Sequence, residues 1–236
     1  MAMLSIIMLT NNRLPRLRRC LDLLLPQLAA GDEVVLVDTG STDGTPEHFE
    51  HGEVAQVRLV RFEGLGGWAE ARNLGVRSAR GEMIAFLDDD CIPAPDWVER
   101  GRAALKDADA VGGMVRSLGI TRFPGWWHPA MSWMVGLSVP GHAGGDAGRY
   151  HYPMTSNLWA WADVCRAVPF QEIGGNLSGH SEGNYVAGRE DAQWWRALRT
   201  GGYRTRFDPE LLVGHAIDGR RLDLEYLKAR ALNDGR

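Results

Sequence analysis

The chain has 236 residues, and 26 lysines and arginines against 30 aspartates and glutamates give it a formal net charge of −4. With a pI near 6.0, that balance argues against a general nucleic-acid binder, which presents a basic stripe and a pI above about 9. Hydrophobic residues at 44% and charged residues at 24% exclude disorder, collagen and coiled coil, and no run approaches the ~18 apolar residues of a membrane span.

Length alone allows one or two domains. The three cysteines, Cys20, Cys91 and Cys165, are odd in number and widely spaced. That fits a reducing cytosol, and suggests neither a disulfide frame nor a zinc site. Met3 to Thr10 is mostly apolar but stops at Asn11-Asn12-Arg13. Without a basic leader or a cleavage site, it reads as a first strand rather than a signal peptide.

Leu4 to Leu9 is a short apolar run of the buried parallel-strand kind. Leu14, Leu17, Leu21, Leu24, Leu25 and Leu28 fall on one helical face, and Pro26 is expected to end that helix. EVVLVD at Glu33 to Asp38, Gln56 to Phe62 and MIAFLD at Met83 to Asp88 read as further strands. Between them Thr45-Pro46-Glu47 looks like an N-cap followed by proline, and Ala69 to Ala79 like a helix closed by Gly81. A helix over Asp96 to Leu105 and a strand over Ala110 to Val115 complete an alternating pattern. Strand and helix alternating at this spacing predict a doubly wound, open α/β sheet.

Periodicity is lost from Arg116 to Thr155. Beyond it, Asn157 to Trp161 and Glu210 to Gly214 read as strands, and Asp163 to Val168, Glu190 to Thr200 and Leu222 to Leu232 as helices. Ile173 to Gly188 has the Gly, Asn and Ser content of a mobile loop, expected to act as a lid over bound substrate. Residues 1–115 and 116–236 are read as two halves of one domain.

Ligands of open α/β sheets bind beyond the carboxyl ends of the strands. The fourth strand ends in Asp88-Asp89-Asp90, whose like charges raise one another's pKa. A hard divalent cation relieves that repulsion, because Mg²⁺ or Mn²⁺ takes one or two carboxylates plus substrate phosphate oxygens. The bland alternative is a solvated acidic turn. Asp38, in the glycine-rich turn DTGSTDGT, either accepts a hydrogen bond from a base or ribose or caps its own turn. A Rossmann dinucleotide site fails at the first crossover, since TNNRLPR contains no glycine.

SIIMLTNNR, VVLVDTGSTDGT and WAEARNLGVRSARGEMIAFLDDD together resemble the nucleotide-sugar-binding half of the inverting family 2 glycosyltransferases of the GT-A fold. The likeness is close over Met3 to Trp97. It resumes more loosely at Asn157, at Gly188-Arg189-Glu190-Asp191 and at Val213-Gly214-His215. It implies a GT-A-type open, mostly parallel sheet with helices on both faces and an irregular acceptor-side half. By position it places Thr10, Asn12 and Asp38 around the base and ribose, and Arg72 and Asn73 along the nucleotide and diphosphate. Asp88 and Asp90 form its DxD pair. Asp88 and Asp89 fall on the nucleotide-sugar side, and Asp90 on an Mn²⁺ or Mg²⁺ ion with His215 as a further ligand. Glu190-Asp191 matches the family's ED motif, with Asp191 as the base and Glu190 the next candidate; the competing reading is that both acids only cap a helix. The first motif departs from many relatives, carrying Met8-Leu9-Thr10 where they have a Pro-Thr pair.

Seven of the nine tryptophans fall between Trp126 and Trp195. Trp offers a flat apolar face and an N–H for stacking on sugar rings, and Trp159 and Trp194 are the acceptor candidates. The bland reading is core filling. Gln193-Trp194-Trp195-Arg196 departs from the QxxRW motif of processive synthases.

The expectation is therefore a metal-dependent inverting glycosyltransferase. It would move a sugar from a nucleoside diphosphate donor to a hydroxyl acceptor: a saccharide, a lipid-linked sugar or a small molecule. It is expected in the cytosol, with attachment at the inner membrane face left open but no basic amphipathic helix to secure it. The alternatives are a nucleotidyltransferase or pyrophosphorylase, and a non-catalytic sugar-nucleotide or carbohydrate-binding module.

Overall fold

Seven consecutive buried residues form β1, Leu4–Thr10, and their alternation supplies two cores at once. Leu4, Ile6 and Met8 face one cluster and Ile7 and Leu9 the other, as period-2 side chains must in a strand covered on both faces. The computed structural model describes residues 2–50, 54–64, 67–120, 122–140, 144–146, 153–172 and 190–234. The expected lid at Ile173 to Gly188 lies outside them.

After β1 come α1 (Leu14–Leu24), β2 (Glu33–Asp38), α2 (Thr45–Glu50), β3 (Val57–Arg61) and α3 (Trp68–Ser78). β4 (Met83–Phe86), β5 (Cys91–Pro93), α4 (Trp97–Leu105) and β6 (Ala110–Leu118) follow. The remainder holds β7 (Gly145–Asp146), β8 (Leu158–Trp161), α5 (Ala162–Ala167), α6 (Glu190–Thr200), β9 (Thr205–Ala216) and α7 (Leu224–Asp234).

α1 covers one sheet face with Leu17, Cys20, Leu21 and Leu24. It stops where Pro26 denies it a backbone donor, and continues as a 3-10 turn over Leu25–Gln27. α3 lies on the other face, and a Cβ on Gly75 would sit 2.5 Å from Ile7, so glycine sets how closely that helix approaches β1. Two expected caps belong to other residues. Asp43, not Thr45, takes the leading amides: its carboxylate accepts from Leu14 N of α1 (2.9 Å) and Thr45 N of α2 (3.1 Å). Gly81 is not the cap of α3 but a close backbone crossing, where a Cβ would meet Ser5 N at 2.6 Å.

The strands join in the order β3-β2-β1-β4-β8-β6-β9-β5, with β7 beside β9. β3, β2, β1 and β4 are parallel, as is β6 with β9. β8 runs antiparallel to both β4 and β6, and β5 and β7 antiparallel to β9. The expected mostly parallel sheet is thus a mixed one. Four-residue β8 is reached through the long non-periodic stretch after β6, which lets the chain reverse before it re-enters the sheet.

β9 is also longer than expected. Its register against β6 jumps from Gly113↔Asp208 to Met114↔Leu212. Asn157, fully buried, ties that bulge by donating to Met114 O (3.0 Å) and Leu211 O (2.7 Å) while accepting from the Trp97 indole (2.9 Å). A third cluster, Val115, Met134, Val135, Leu137, Ile217 and Leu227, closes the β6–β9 end.

Candidate active site

The carboxyl ends of β1, β2 and β4 converge, as the parallel half of the sheet requires. Thr10, the last residue of β1, donates its hydroxyl to Asp89 Oδ2 (2.8 Å). Asn12 takes a left-handed conformation (φ 52°), which asparagine tolerates, and its side-chain carbonyl accepts from Thr42 N (2.7 Å). Asp38 accepts from Ser41 N at 3.2 Å through each of its oxygens. Both side chains therefore shape the turn after β2 beside the cluster, and Asp38 does what a turn-capping aspartate does.

Arg13, which the sequence reading passed over, is the cation of this cluster. Its guanidinium donates to Asp89 Oδ1 (3.0 Å) and Asp90 Oδ2 (3.2 Å), with Arg16 at 3.9 Å from Asp90. The basic residues that follow β1, against three acids after β4, were the available signal, because buried like charges need a counter-charge.

The three acids differ. Burial, then the charge of Asp90, pushes Asp88 up, with Arg72 pulling the other way. Burial pushes Asp89 up to about 6 against Arg13. Burial disfavours the charged form of Asp90 too. Hydrogen bonding and charge from His215, then Arg13 and Arg221, outweigh it and hold this carboxyl below the usual range.

His215 arrives from β9 because β5 pairs Cys91 with it. Its Nε2 lies 3.4 Å from Asp90 Oδ1, and its Nδ1 lies 3.0 Å from Gly136 O. A carbonyl can only accept, so Nδ1 carries a proton. Nε2 then turns either a second proton or a lone pair toward the carboxylate, and a lone pair there calls for a cation between them. Asp90 O, Cys91 Sγ and His215 Nε2 lie within reach of one ion. Burial, then Asp88 and Asp90, push the Cys91 thiol up, so the oxygen and nitrogen donors are the ones that suit a hard cation. The donor set fits Mn²⁺ or Mg²⁺.

Arg72 is buried on α3 and forms an ion pair with Glu190 at the start of α6. Burial alone would lower its pKa, but Glu190, Asp88 and Asp191 raise it, so one guanidinium serves acids of both halves. Asn73, next to it on α3, is held by a backbone contact. Its amide donates to Phe170 O (2.8 Å) and accepts from Phe170 N (2.9 Å), which ties α3 to the segment before α6. Asp191 is half-buried beside the pair. Burial, then the Glu190 charge, pushes it up to about 7, and its Oδ1 accepts from its neighbour Ala192 N (2.7 Å).

Trp159 and Trp194 do not offer acceptor platforms. Trp159 is fully buried, edge-on to Trp97 with ring centres 4.8 Å apart, and it fills the space above Gly101. Trp194 is buried, stacks on Phe170 at 5.0 Å and donates to Val168 O (2.6 Å). Both fill the layers between helices and sheet, where large apolar faces gain most by leaving water.

Residues 5–164 match the family model of Glycosyl transferase family 2. Among curated proteins, the chain is 36% identical over 118 residues to glycosyltransferase AglE of Haloferax volcanii, covering 47% of this chain and 38% of that one. It is 26% identical over 213 residues to the glucosyl-dolichyl phosphate glucuronosyltransferase of the same organism, covering 86% and 65%. The chain thus spans less than two thirds of either relative. Among solved structures, the mannosyltransferase PcManGT of Pyrobaculum calidifontis, in complex with GDP-Man and Mn²⁺, superposes with a TM-score of 0.67 at 21% identity, over 99% of this chain and 65% of that one. S. aureus TarS 1-349 in complex with UDP-GlcNAc gives 0.64 at 16% identity, over 98% and 66%. The sheet is that of the GT-A fold, and the chain belongs to glycosyl transferase family 2.

Proposed function

We propose that this chain transfers a sugar, with inversion, from a nucleoside diphosphate donor to a hydroxyl acceptor, using Mn²⁺ or Mg²⁺. The observation that carries the reading is the convergence of Asp88, Asp89 and Asp90 with His215 at the carboxyl ends of the parallel strands, with Arg72 reaching from them to Glu190 and Asp191. The solved relatives named with GDP-Man and Mn²⁺ and with UDP-GlcNAc support it. Family membership leaves the nucleotidyltransferase and binding-module alternatives without support.

In this reading residues 1–115 bind the donor and 116–236 bind the acceptor. Thr10 holds Asp89 in place, Asp38 and Asn12 hold open the β2 turn against which the base rests, and Asp88 faces the donor. Asp90 and His215 hold the ion, which when bound offsets charge developing on the departing diphosphate. The acceptor oxygen attacks the anomeric carbon opposite the diphosphate, that carbon–oxygen bond breaks, and the acceptor proton passes to Asp191. A carboxyl near 7 is well matched to take a proton at neutral pH. Glu190, engaged with Arg72, positions its neighbour.

Calorimetric titration with UDP and GDP, with and without Mn²⁺, tests the site directly. Mn²⁺-dependent binding is expected, weakened by at least about tenfold to a hundredfold in Asp90→Asn. Binding indifferent to Mn²⁺ would contradict the reading.

A further inference from the structure

From Arg116 to Gly145 the sequence contains no acidic residue, although the chain carries 30. The described part of this stretch includes a 3-10 helix over Pro129–Val135, which packs with α7 on the third cluster. Outside that cluster stand Trp126 (46% exposed), Trp133 (45%) and Leu224 (53%), three of the four large hydrophobics exposed among the described residues. Ile120, Phe123, Trp127 and Met131 of the same stretch pack against that cluster.

Charge surrounds them unevenly. Arg116 and Arg122 are exposed on one side. On the other, Asp218 and Glu225 are already paired with Arg220 and Lys228. Arg221 and Arg230 of the same segment act on Asp90 and Asp191 of the candidate site, so this side adds no surplus of cations. In a molecule of net charge −4, the stretch that carries both exposed tryptophans is thus cationic, through Arg116 and Arg122. The patch also adjoins the candidate site: Trp133 O accepts from Gly136 N (3.1 Å), and Gly136 O holds the His215 ring.

We propose that this face docks on an anionic phospholipid bilayer, with Trp126 and Trp133 at headgroup depth and the arginines against lipid phosphates. Tryptophan favours that depth, having an apolar face and one donor. Surface binding grows with buried apolar area and with attraction between basic residues and anionic lipid. No amphipathic helix is needed, because one stretch, without an α-helix among its described residues, carries both tryptophans and both arginines. Docking here would turn the candidate site toward acceptors presented at a bilayer. The proposal goes beyond sugar transfer and is read without donor or metal, so each can fail alone.

The test is sedimentation of the full chain with vesicles of phosphatidylcholine alone and of phosphatidylcholine mixed with phosphatidylglycerol, at low and high salt. Binding is expected to the mixed vesicles only, weakened by salt. It should fall about tenfold or more both in Trp126→Ser/Trp133→Ser and in Arg116→Gln/Arg122→Gln, with melting temperatures retained. Brominated acyl chains should quench the native tryptophan fluorescence, which serves if a variant fails to fold. No binding to mixed vesicles, no quenching, equal binding by folded variants, or self-association through this face in place of lipid binding would each overturn it.

Discussion

Arg72 on α3 and Glu190 on α6 are 118 positions apart in sequence and form a buried ion pair. The pair joins the strand-end acids to the start of α6, and it engages Glu190 while leaving Asp191 beside it with no ion-pair partner among the described residues.

Arg72→Met should destabilise the fold by about 3–5 kcal/mol, because it leaves a buried carboxylate without its counter-charge. Arg72→Met/Glu190→Leu should recover most of that loss. Urea unfolding of both variants checks it. A loss in the single variant no larger than in the double would show that the pair is not buried as described.

Asp191 predicts a pH dependence. Its carboxyl is pushed up from 3.8 to about 7, so between those values the folded chain holds a proton that the unfolded chain has released. Stability therefore falls as pH rises from about 4 to 7 through this group. Asp191→Asn removes that slope, so its melting temperature should gain on the parent's as pH rises through the window. Transfer should show the opposite trend in the parent, with kcat/KM rising as the base ionises near 7. A flat difference in melting temperature across the window would place the carboxyl at its ordinary value.

Trp159 separates core packing from sugar stacking. Trp159→Ala should cost about 3–5 kcal/mol, because it empties the space beside Trp97 and Gly101, and nucleotide affinity of the folded protein should stay unchanged. A stacking platform would instead lose acceptor binding with the melting temperature kept.

β1, β2 and β4 could be read from the sequence because strands covered on both faces are continuous apolar runs, and the acids that follow β4 stand out against them. The same logic placed Thr10, Asp38 and Asp90 at one end of the sheet. What could not be read depends on contacts between distant residues. The direction of β8 is set by pairing with β4 and β6, not by its four residues. The cap on α1 comes from Asp43. That Phe170, 97 positions away, takes both ends of the Asn73 amide is likewise invisible in the sequence. Arg13 becomes a site residue only once Asp89 and Asp90 are folded against it.

The most direct test of the whole account is single-turnover sugar transfer by Asp191→Asn beside the parent chain, with UDP-, GDP-, dTDP- and CDP-sugars and Mn²⁺, and donor affinity measured in parallel. Asparagine keeps the helix start nearly as well capped, so a capping role alone predicts near-normal turnover. The account predicts transfer slowed by roughly 10²–10⁴ with donor affinity nearly unchanged. Near-normal turnover in Asp191→Asn would contradict it and move the base elsewhere.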